Sequence, residues 1–373
     1  MIIAGYEFRK EKPFENVYFT GMVRDSLRRK MSKSLGNSPD PLELIEKYGA
    51  DGVRVGMLLC SPAGNDLLFD ESLTEQGRNF CNKLWNTFRL IRGWTVDVSE
   101  AQPEAAEKAI HWFEAKLNQT LELVDDQFSK FRISGALMAV YTLIKDEFSG
   151  WYLEAIKPAY QRPIDQSTYK QTLLFLDKLL KLLHPFMPFI SEEIYQLIVD
   201  RPEGESIMIS EMPKAVSYDK KLIREFEKTK EIIASIRNIR QGKNLQVKET
   251  VDLAVVAEEK SYNKTNLTIV QKLANVKEIT FVAKPDEGAV TFMVMVTQYS
   301  VSLGTMIDVE AEKKKLEEEL KYQQGFLNSV MRKLGNKNFV KNAPEKVVTI
   351  EQKKKTDAEN KIKTLTDRLK SLS

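Results

Sequence analysis

The chain has 373 residues, 42% of them hydrophobic and 29% charged, with a formal net charge of +3. That length exceeds what one hydrophobic core usually serves and predicts two or three domains. No stretch approaches the eighteen consecutive apolar residues of a membrane span, and residues 1–10 lack the charged and apolar regions of a signal peptide, so a cytoplasmic protein without a membrane partner is expected. Cys60 and Cys81 make no disulfide framework, and His111 and His184 stand outside any Cys/His cluster, so no metal site is expected.

The first seventy residues read as mixed α/β. Val17 to Val23 is β-branched and aromatic, the composition of a buried strand. A basic loop from Arg24 to Ser34 follows it. Asp40 then offers an N-cap and Pro41 a first helical position, so a helix should begin there and end at Gly49. A second short helix should run to about Cys60, where Pro62 and Gly64 break it.

From about 70 to 200 the apolar period becomes 3.6. Phe80, Leu84, Phe88 and Ile91 form one stripe; Ile133, Leu137, Val140, Tyr141 and Ile144 a second; Leu173, Leu176, Leu180 and Leu183 a third. Pro185 and Pro188 should restart the helix that carries the third. This predicts a bundle of four or five helices. A smaller α+β unit follows: a helix over 220–240, strands over 247–256, 279–283 and 290–296, and a helix over 264–273.

The last segment is the most regular. Val309, Lys313, Leu316, Leu320, Gln323, Leu327, Val330 and Leu334 alternate spacings of four and three. Gly335-Asn336 breaks the pattern, and Val348, Glu351, Lys355, Ala358, Ile362, Leu365, Leu369 and Leu372 resume it. Two helices of matched length predict an antiparallel coiled-coil hairpin. Residues 310–373 carry sixteen basic against ten acidic side chains, and 321–355 nine against two, so the positive charge falls on the distal half and turn. Concentrated charge of one sign calls for a polyanionic partner.

The chemistry is most concentrated in Lys30-Met31-Ser32-Lys33-Ser34, followed by Leu35-Gly36-Asn37. Lysine ammoniums are compact charges on flexible stems, suited to a moving triphosphate. Attack at the α-phosphorus of ATP builds negative charge on departing pyrophosphate, and a cation placed there lowers the barrier instead of merely tightening binding. A mobile loop can close over the nucleotide once bound. Ser32 and Ser34 add hydroxyls, and Gly36 permits a sharp turn. A bare K-x-x-K would be no more than a solvated basic loop; the complete pentapeptide after a strand is much more specific.

In that context the pentapeptide resembles the signature loop of class I aminoacyl-tRNA synthetases. The resemblance extends through Asn16-Val17-Tyr18, Arg24-Asp25, Asp40-Pro41-Leu42, Tyr48-Gly49-Ala50-Asp51 and Arg54, which are similar to the end of a class I catalytic core. Gly64-Asn65-Asp66, Phe69-Asp70 and residues 78–86 resemble the valine-specific branch, and His184 to Glu193 resembles the anticodon-binding bundle shared with the isoleucine, leucine and methionine branches. Asn338-Phe339-Val340, Ala343-Pro344-Glu345 and Val347-Val348, at the turn of the hairpin, are similar to that branch's C-terminal arm.

The resemblance implies a mainly α protein of four parts: residues 1–70 as the remnant of an α/β core with the lysine loop, 71–219 as a helical anticodon-binding bundle, 220–305 as a small α+β unit, and 306–373 as the tRNA-binding arm. It implies ATP, carried with Mg2+ in the full-length enzyme, and valine as substrates, tRNA-Val as partner, and a monomer. Lys30 and Lys33 would be catalytic, and Lys30 to Ser34 would bind ATP. The implied tRNA contacts are Arg78, Asn79, Lys83 and Asn86 on one helix and Arg332, Lys333, Lys337, Lys341 and Lys346 around the arm's turn.

One departure weighs on activity. The family's His-x-Gly-His motif lies upstream of the lysine loop, whereas both histidines here lie downstream of it. The resemblance therefore implies a C-terminal portion that begins inside the catalytic core, binds no cofactor tightly and is inactive alone. A non-catalytic RNA-binding or coiled-coil scaffold, or an isoleucine-branch relative, is the alternative. Trp85, Trp94, Trp112 and Trp151 are expected in the core or between helices and not as stacking platforms.

Overall fold

The computed structural model describes residues 1–19, 21–60, 65–246, 248–286, 288–302 and 309–335, with Gln352, Lys355, Ala358, Ile362 and Thr366. They fall into two compact units, Met1–Thr229 and Lys230–Ser373.

The first unit opens with a single turn, α1 (Ile2–Ala4), running into a π-helical stretch over Gly5–Arg9. The expected strand over 17–23 shrinks to β1 (Val23–Arg24), paired in parallel with β2 (Leu67–Leu68). Val17 and Phe19 are 56% and 80% exposed. A β-branched run becomes a strand only where a neighbour satisfies its backbone, and β2 supplies two residues.

Helix α2 (Pro41–Tyr48) starts as the sequence predicts: Asp40 Oδ1 accepts from Leu42 N at 2.8 Å, and Pro41 fills the first turn. Gly49, at φ 76°, turns the chain into α3 (Ala50–Leu59). The predicted breakers Pro62 and Gly64 lie outside the described residues.

The bundle comprises α4 (Glu71–Arg92), α5 (Glu104–Ser129), α6 (Ile133–Thr142), α8 (Gln166–Leu183) and α9 (Pro188–Ile198). A π-helical stretch over Leu143–Tyr152 and the short α7 (Leu153–Ile156) prolong α6. Strands β3 (Val96–Asp97) and β4 (Ile164–Asp165) pair in parallel between the helices. The predicted stripes face inward except at one end: Phe80, Leu84, Phe88 and Ile91 are buried, as are Leu137, Val140, Tyr141 and Ile144, whereas Ile133, the first residue of α6, is 38% exposed. Phe113 sits at the centre, its ring about 5 Å from those of Phe148, Tyr152 and Phe175. Trp112 is buried and stacks on Phe226 with centroids 3.6 Å apart, while Trp151 meets the same ring edge-on. Trp85 packs beside Phe88 and Trp94 is half-buried.

Helices α3 and α4 touch backbone to backbone. A Cβ at Gly77 would lie 2.4 Å from Gly52 O, and one at Gly56 would lie 2.7 Å from the Thr74 backbone. Only glycine allows this approach. At its other face α3 is tied to the turn between α8 and α9. Buried Asp51 accepts from Phe189 N at 3.3 Å and Ile190 N at 2.7 Å, capping α9 from outside its own chain segment. Arg54 donates to Phe186 O at 3.0 Å and Pro185 O at 3.1 Å. Pro188 begins α9, which accounts for the restart that the two prolines predict.

Helix α10 (Lys220–Gly242) runs from the first unit into the second. There β5 (Val251–Val256), α11 (Leu267–Ala274), β6 (Val276–Val282), β7 (Val290–Val294) and β8 (Thr297–Ser302) build a sheet of order β6-β5-β8-β7. β5 pairs parallel to β6 across α11 and antiparallel to β8. β8 is absent from the sequence reading because Thr297-Gln298-Tyr299-Ser300-Val301-Ser302 is polar in composition, yet Tyr299, Ser300 and Val301 are all buried.

Helix α12 (Val309–Gly335) ends where the sequence predicts. Its less exposed positions among 317–335 with described side chains are Leu320, Gln323, Leu327, Val330 and Leu334, the described part of the predicted seam. The side chains of Val309, Lys313 and Leu316 lie outside the described residues. Beyond the turn only the five single residues are described; they are helical, with Ala358 buried.

Candidate nucleotide loop and RNA-facing helices

The lysine loop is held from beneath by two side chains. Asp25 Oδ1 accepts from Leu27 N at 3.0 Å and Arg29 N at 2.9 Å, while Oδ2 accepts from Arg29 Nε at 2.8 Å. Asn37 reaches back across the loop: its Nδ2 donates to Asp25 Oδ2 at 3.0 Å and Lys30 O at 3.3 Å, and its Oδ1 accepts from Ser32 N at 3.0 Å. Hydrogen bonds from Asn37 and then Arg29 hold the Asp25 carboxyl at about 2, well below the usual carboxylate range. Met31 N bonds to Val23 O at 3.0 Å, joining the loop to β1. Arg24, in β1, pairs with Asp66 beside β2.

Ser32 is extended and caps a 3-10 turn over Lys33–Leu35, its Oγ accepting from Leu35 N at 3.3 Å and lying 3.1 Å from Ser34 Oγ. Gly36, at φ 63°, closes that turn. Lys30 and Lys33 are exposed, and neither joins an ion pair among the described residues. The loop thus has a fixed backbone and two unspent ammoniums. Its one carboxylate, Asp25, is already committed to Arg29 and Asn37, so the loop offers two ammoniums and no uncommitted carboxylate, a set that suits phosphate oxygens. The roles of Asp25 and Asn37 escaped the sequence reading, since the bonds that reveal them span up to twelve residues.

The candidate RNA residues of α4 separate. Arg78 donates to Lys47 O at the end of α2, a structural use of its guanidinium. Asn79 and Lys83 line one open groove, and Asn86 is exposed a turn further along. On α12, Arg332 and Lys333 are exposed near the C-terminal end. Lys337, Lys341 and Lys346 lie outside the described residues.

The remaining reactive side chains are quiet. Burial pushes the Cys81 thiol up to about 12 and raises that of Cys60. His184 Nδ1 sits 2.8 Å from Ser191 Oγ, and burial lowers its pKa. Among the described residues no group of three or more His, Cys, Asp or Glu side chains could hold a metal ion, and no helix is long and apolar enough to cross a membrane.

Three protein families match the chain in succession: tRNA synthetases class I (I, L, M and V) over residues 1–70, the anticodon-binding domain of tRNA ligase over 111–256, and the valyl tRNA synthetase tRNA binding arm over 308–373. A valine--tRNA ligase of Parabacteroides distasonis is 55% identical over 373 residues, all of this chain and 42% of that protein. The Bacteroides thetaiotaomicron valine--tRNA ligase is also 55% identical, over 376 residues and 42% of its length. That of Fusobacterium nucleatum is 36% identical over 392 residues and 44% of its length. A crystal structure of an Agrobacterium radiobacter K84 LeuRS ternary complex aligns at TM-score 0.42 with 21% identity, over 60% of this chain and 26% of that chain, too slight a likeness to carry an argument. Along its whole length, and over less than half the length of those relatives, the chain belongs to the valine--tRNA ligase family.

Proposed function

We propose that this chain supplies the phosphate-closing loop and the tRNA-holding surfaces of a valine--tRNA ligase. The reaction joins valine to ATP as valyl-adenylate with release of pyrophosphate, then passes the valyl group to tRNA-Val. Lys30 and Lys33 neutralise the charge that grows on the departing pyrophosphate, while Ser32 and Ser34 donate to its oxygens. Asp25 and Asn37 keep the loop's backbone in the shape that presents both lysines. ATP arrives with Mg2+, for which this loop offers no uncommitted carboxylate, and no step here is assigned to the metal.

The helical bundle holds the tRNA through Arg78, Asn79, Lys83 and Asn86. The repeat of spacings in residues 306–373 and their match to a tRNA binding arm support a coiled-coil hairpin reading in which the positive residues Arg332, Lys333, Lys337, Lys341 and Lys346 meet RNA phosphates. The observation that carries the reading is the pair of unspent lysines on an internally braced loop, in a chain 55% identical to valine--tRNA ligases. It is tested by valine-dependent ATP–pyrophosphate exchange in a full-length enzyme containing this sequence. Lys33→Ala should slow exchange about 100-fold, the scale of losing one transition-state donor; an unchanged rate would remove the loop from the chemistry. The 373-residue chain alone should bind tRNA-Val and show no exchange.

A further inference from the structure

The turn that leads into the lysine pentapeptide is held from another part of the chain. Arg28 has φ 61°, a left-handed conformation that is uncommon for a residue with a Cβ and has to be held in place. Its N–H bonds to Asp25 O at 2.8 Å, and its carbonyl accepts from Arg24 Nη1 at 3.1 Å. The same guanidinium donates through Nε to Asp66 Oδ2. Asp66 uses its other oxygen as well, accepting from Met22 N at 3.0 Å. Backbone bonds flank this pair: Leu67 N donates to Met22 O and Phe69 N to Arg24 O, each at 2.9 Å. A Cβ at Gly21 would collide with Asn65 O, so the two segments touch backbone to backbone.

The bonds of Asp25 and Asn37 join parts of the loop to one another and so fix its shape. Asp66 stands 42 residues after Arg24, in a separate segment, and its bonds fix which way that shape points. The line runs from Asp66 through Arg24 to the Arg28 carbonyl, and Arg24 also bridges to Lys30, the first lysine of the pentapeptide. An arginine suits this place because its planar fork can meet a carboxylate and a carbonyl at once, where an ammonium is a point charge. The side chains of Arg24 and Asp66 are 28% and 40% exposed. At such exposure an ion pair adds little to global stability, so what this one contributes is direction.

We propose that Asp66 is a positioning residue for the adenylation step: through Arg24 it aims the turn that presents Lys30 and Lys33 to the triphosphate. The proposal rests on the reading that this loop closes over ATP, and it adds Asp66, Arg24 and the Arg28 carbonyl to what sets the rate. Asp66 acts through Arg24 and not on a reacting atom. Its influence ends once pyrophosphate has left, because transfer of the valyl group to tRNA leaves the lysines no triphosphate to grip.

The experiment uses a full-length enzyme containing this sequence and reads two steps apart: valine-dependent ATP–pyrophosphate exchange, and transfer of valine from preformed valyl-adenylate to tRNA-Val. Thermal melts accompany every variant. Asp66→Ala should lower kcat for exchange about 10-fold, less than the ~100-fold that misplacing a reacting group can cost. KM for valine, the transfer rate and the melting temperature should stay as in the parent. Asp66→Asn, which still accepts from Met22 N but carries no charge for Arg24, should lose less. Arg24→Ala should match Asp66→Ala, and the double variant should be little worse than either, since the two act in one line. Losses that multiply in the double variant overturn the proposal, as does an exchange defect that comes with slowed transfer or a lowered melt. If Asp66→Ala leaves exchange unchanged while Lys33→Ala slows it, Asp66 has no positioning role and the loop reading stands. If Lys33→Ala also leaves exchange unchanged, both readings fall.

Discussion

Asn37 and Asp25 form a brace across the lysine loop: one amide group contacts Asp25 Oδ2 at 3.0 Å and Ser32 N at 3.0 Å, twelve and five residues away. Because Asp25 is held at about 2, its bonds persist down to the ordinary carboxylate value and are lost only as pH falls on through about 2. An NMR titration of the Asp25 carboxyl carbon should give a midpoint near 2. Asn37→Ala should move it up toward the model-peptide value of 3.8, and an unmoved midpoint would break the brace. In a full-length enzyme the same variant should slow pyrophosphate exchange while valine binding holds.

Asp51 makes a different pH prediction. Burial raises its pKa, so the folded state holds the proton more tightly than the unfolded chain, and stability falls as pH rises through the window above 3.8. Asp51→Asn keeps an acceptor and has no charge to bury. Urea unfolding should show its deficit against wild type shrinking as pH rises. Asp51→Ala strands the N–H groups of Phe189 and Ile190 and should cost about 1–3 kcal/mol.

The contact between α3 and α4 is sensitive to single methyl groups. Gly77→Ala sets a Cβ 2.4 Å from the Gly52 carbonyl oxygen, where only backbone movement gives relief. A loss of about 2–3 kcal/mol is expected, seen in calorimetry as a fall of several degrees in the melting temperature. Gly150→Ala meets nothing nearer than 3.6 Å and should change the melt little.

At the arm, Arg332→Gln with Lys333→Gln should reduce the salt slope of tRNA binding by about 1.4–1.8, close to one unit per lost phosphate contact. The melt of the first unit should not move. Equal slopes for variant and parent would show these side chains to be solvated and nothing more.

Several features are legible in the amino-acid sequence because they are local. Asp40 and Pro41 announce α2, the stripes of α4 and α8 repeat at the helical period, and the spacing of Leu320, Gln323, Leu327, Val330 and Leu334 marks the less exposed line of α12. Features made by distant partners were not readable. Arg78 is expected at RNA from its neighbours in sequence, and those neighbours do not announce its bond to the carbonyl of Lys47. Strand β8 is polar in composition and takes its place through pairing with β5 and β7. The run at 17–23 shows the converse: strong strand composition yields only β1 among its described residues, where two residues of β2 and a single bridge from Arg24 to Lys30 satisfy the backbone.

The tie between α3 and the turn before α9 bears on how the protein can be dissected. Asp51 and Arg54 lie within the segment that carries the lysine loop, and each bonds to residues more than 130 positions later. An expression clone stopped at residue 70 would carry these two groups into water without their acceptors and donors, and would strip the cover from Val55, which is fully buried. The motif boundary and the smallest foldable piece therefore do not coincide: a soluble sample of the lysine loop has to include α8 and α9.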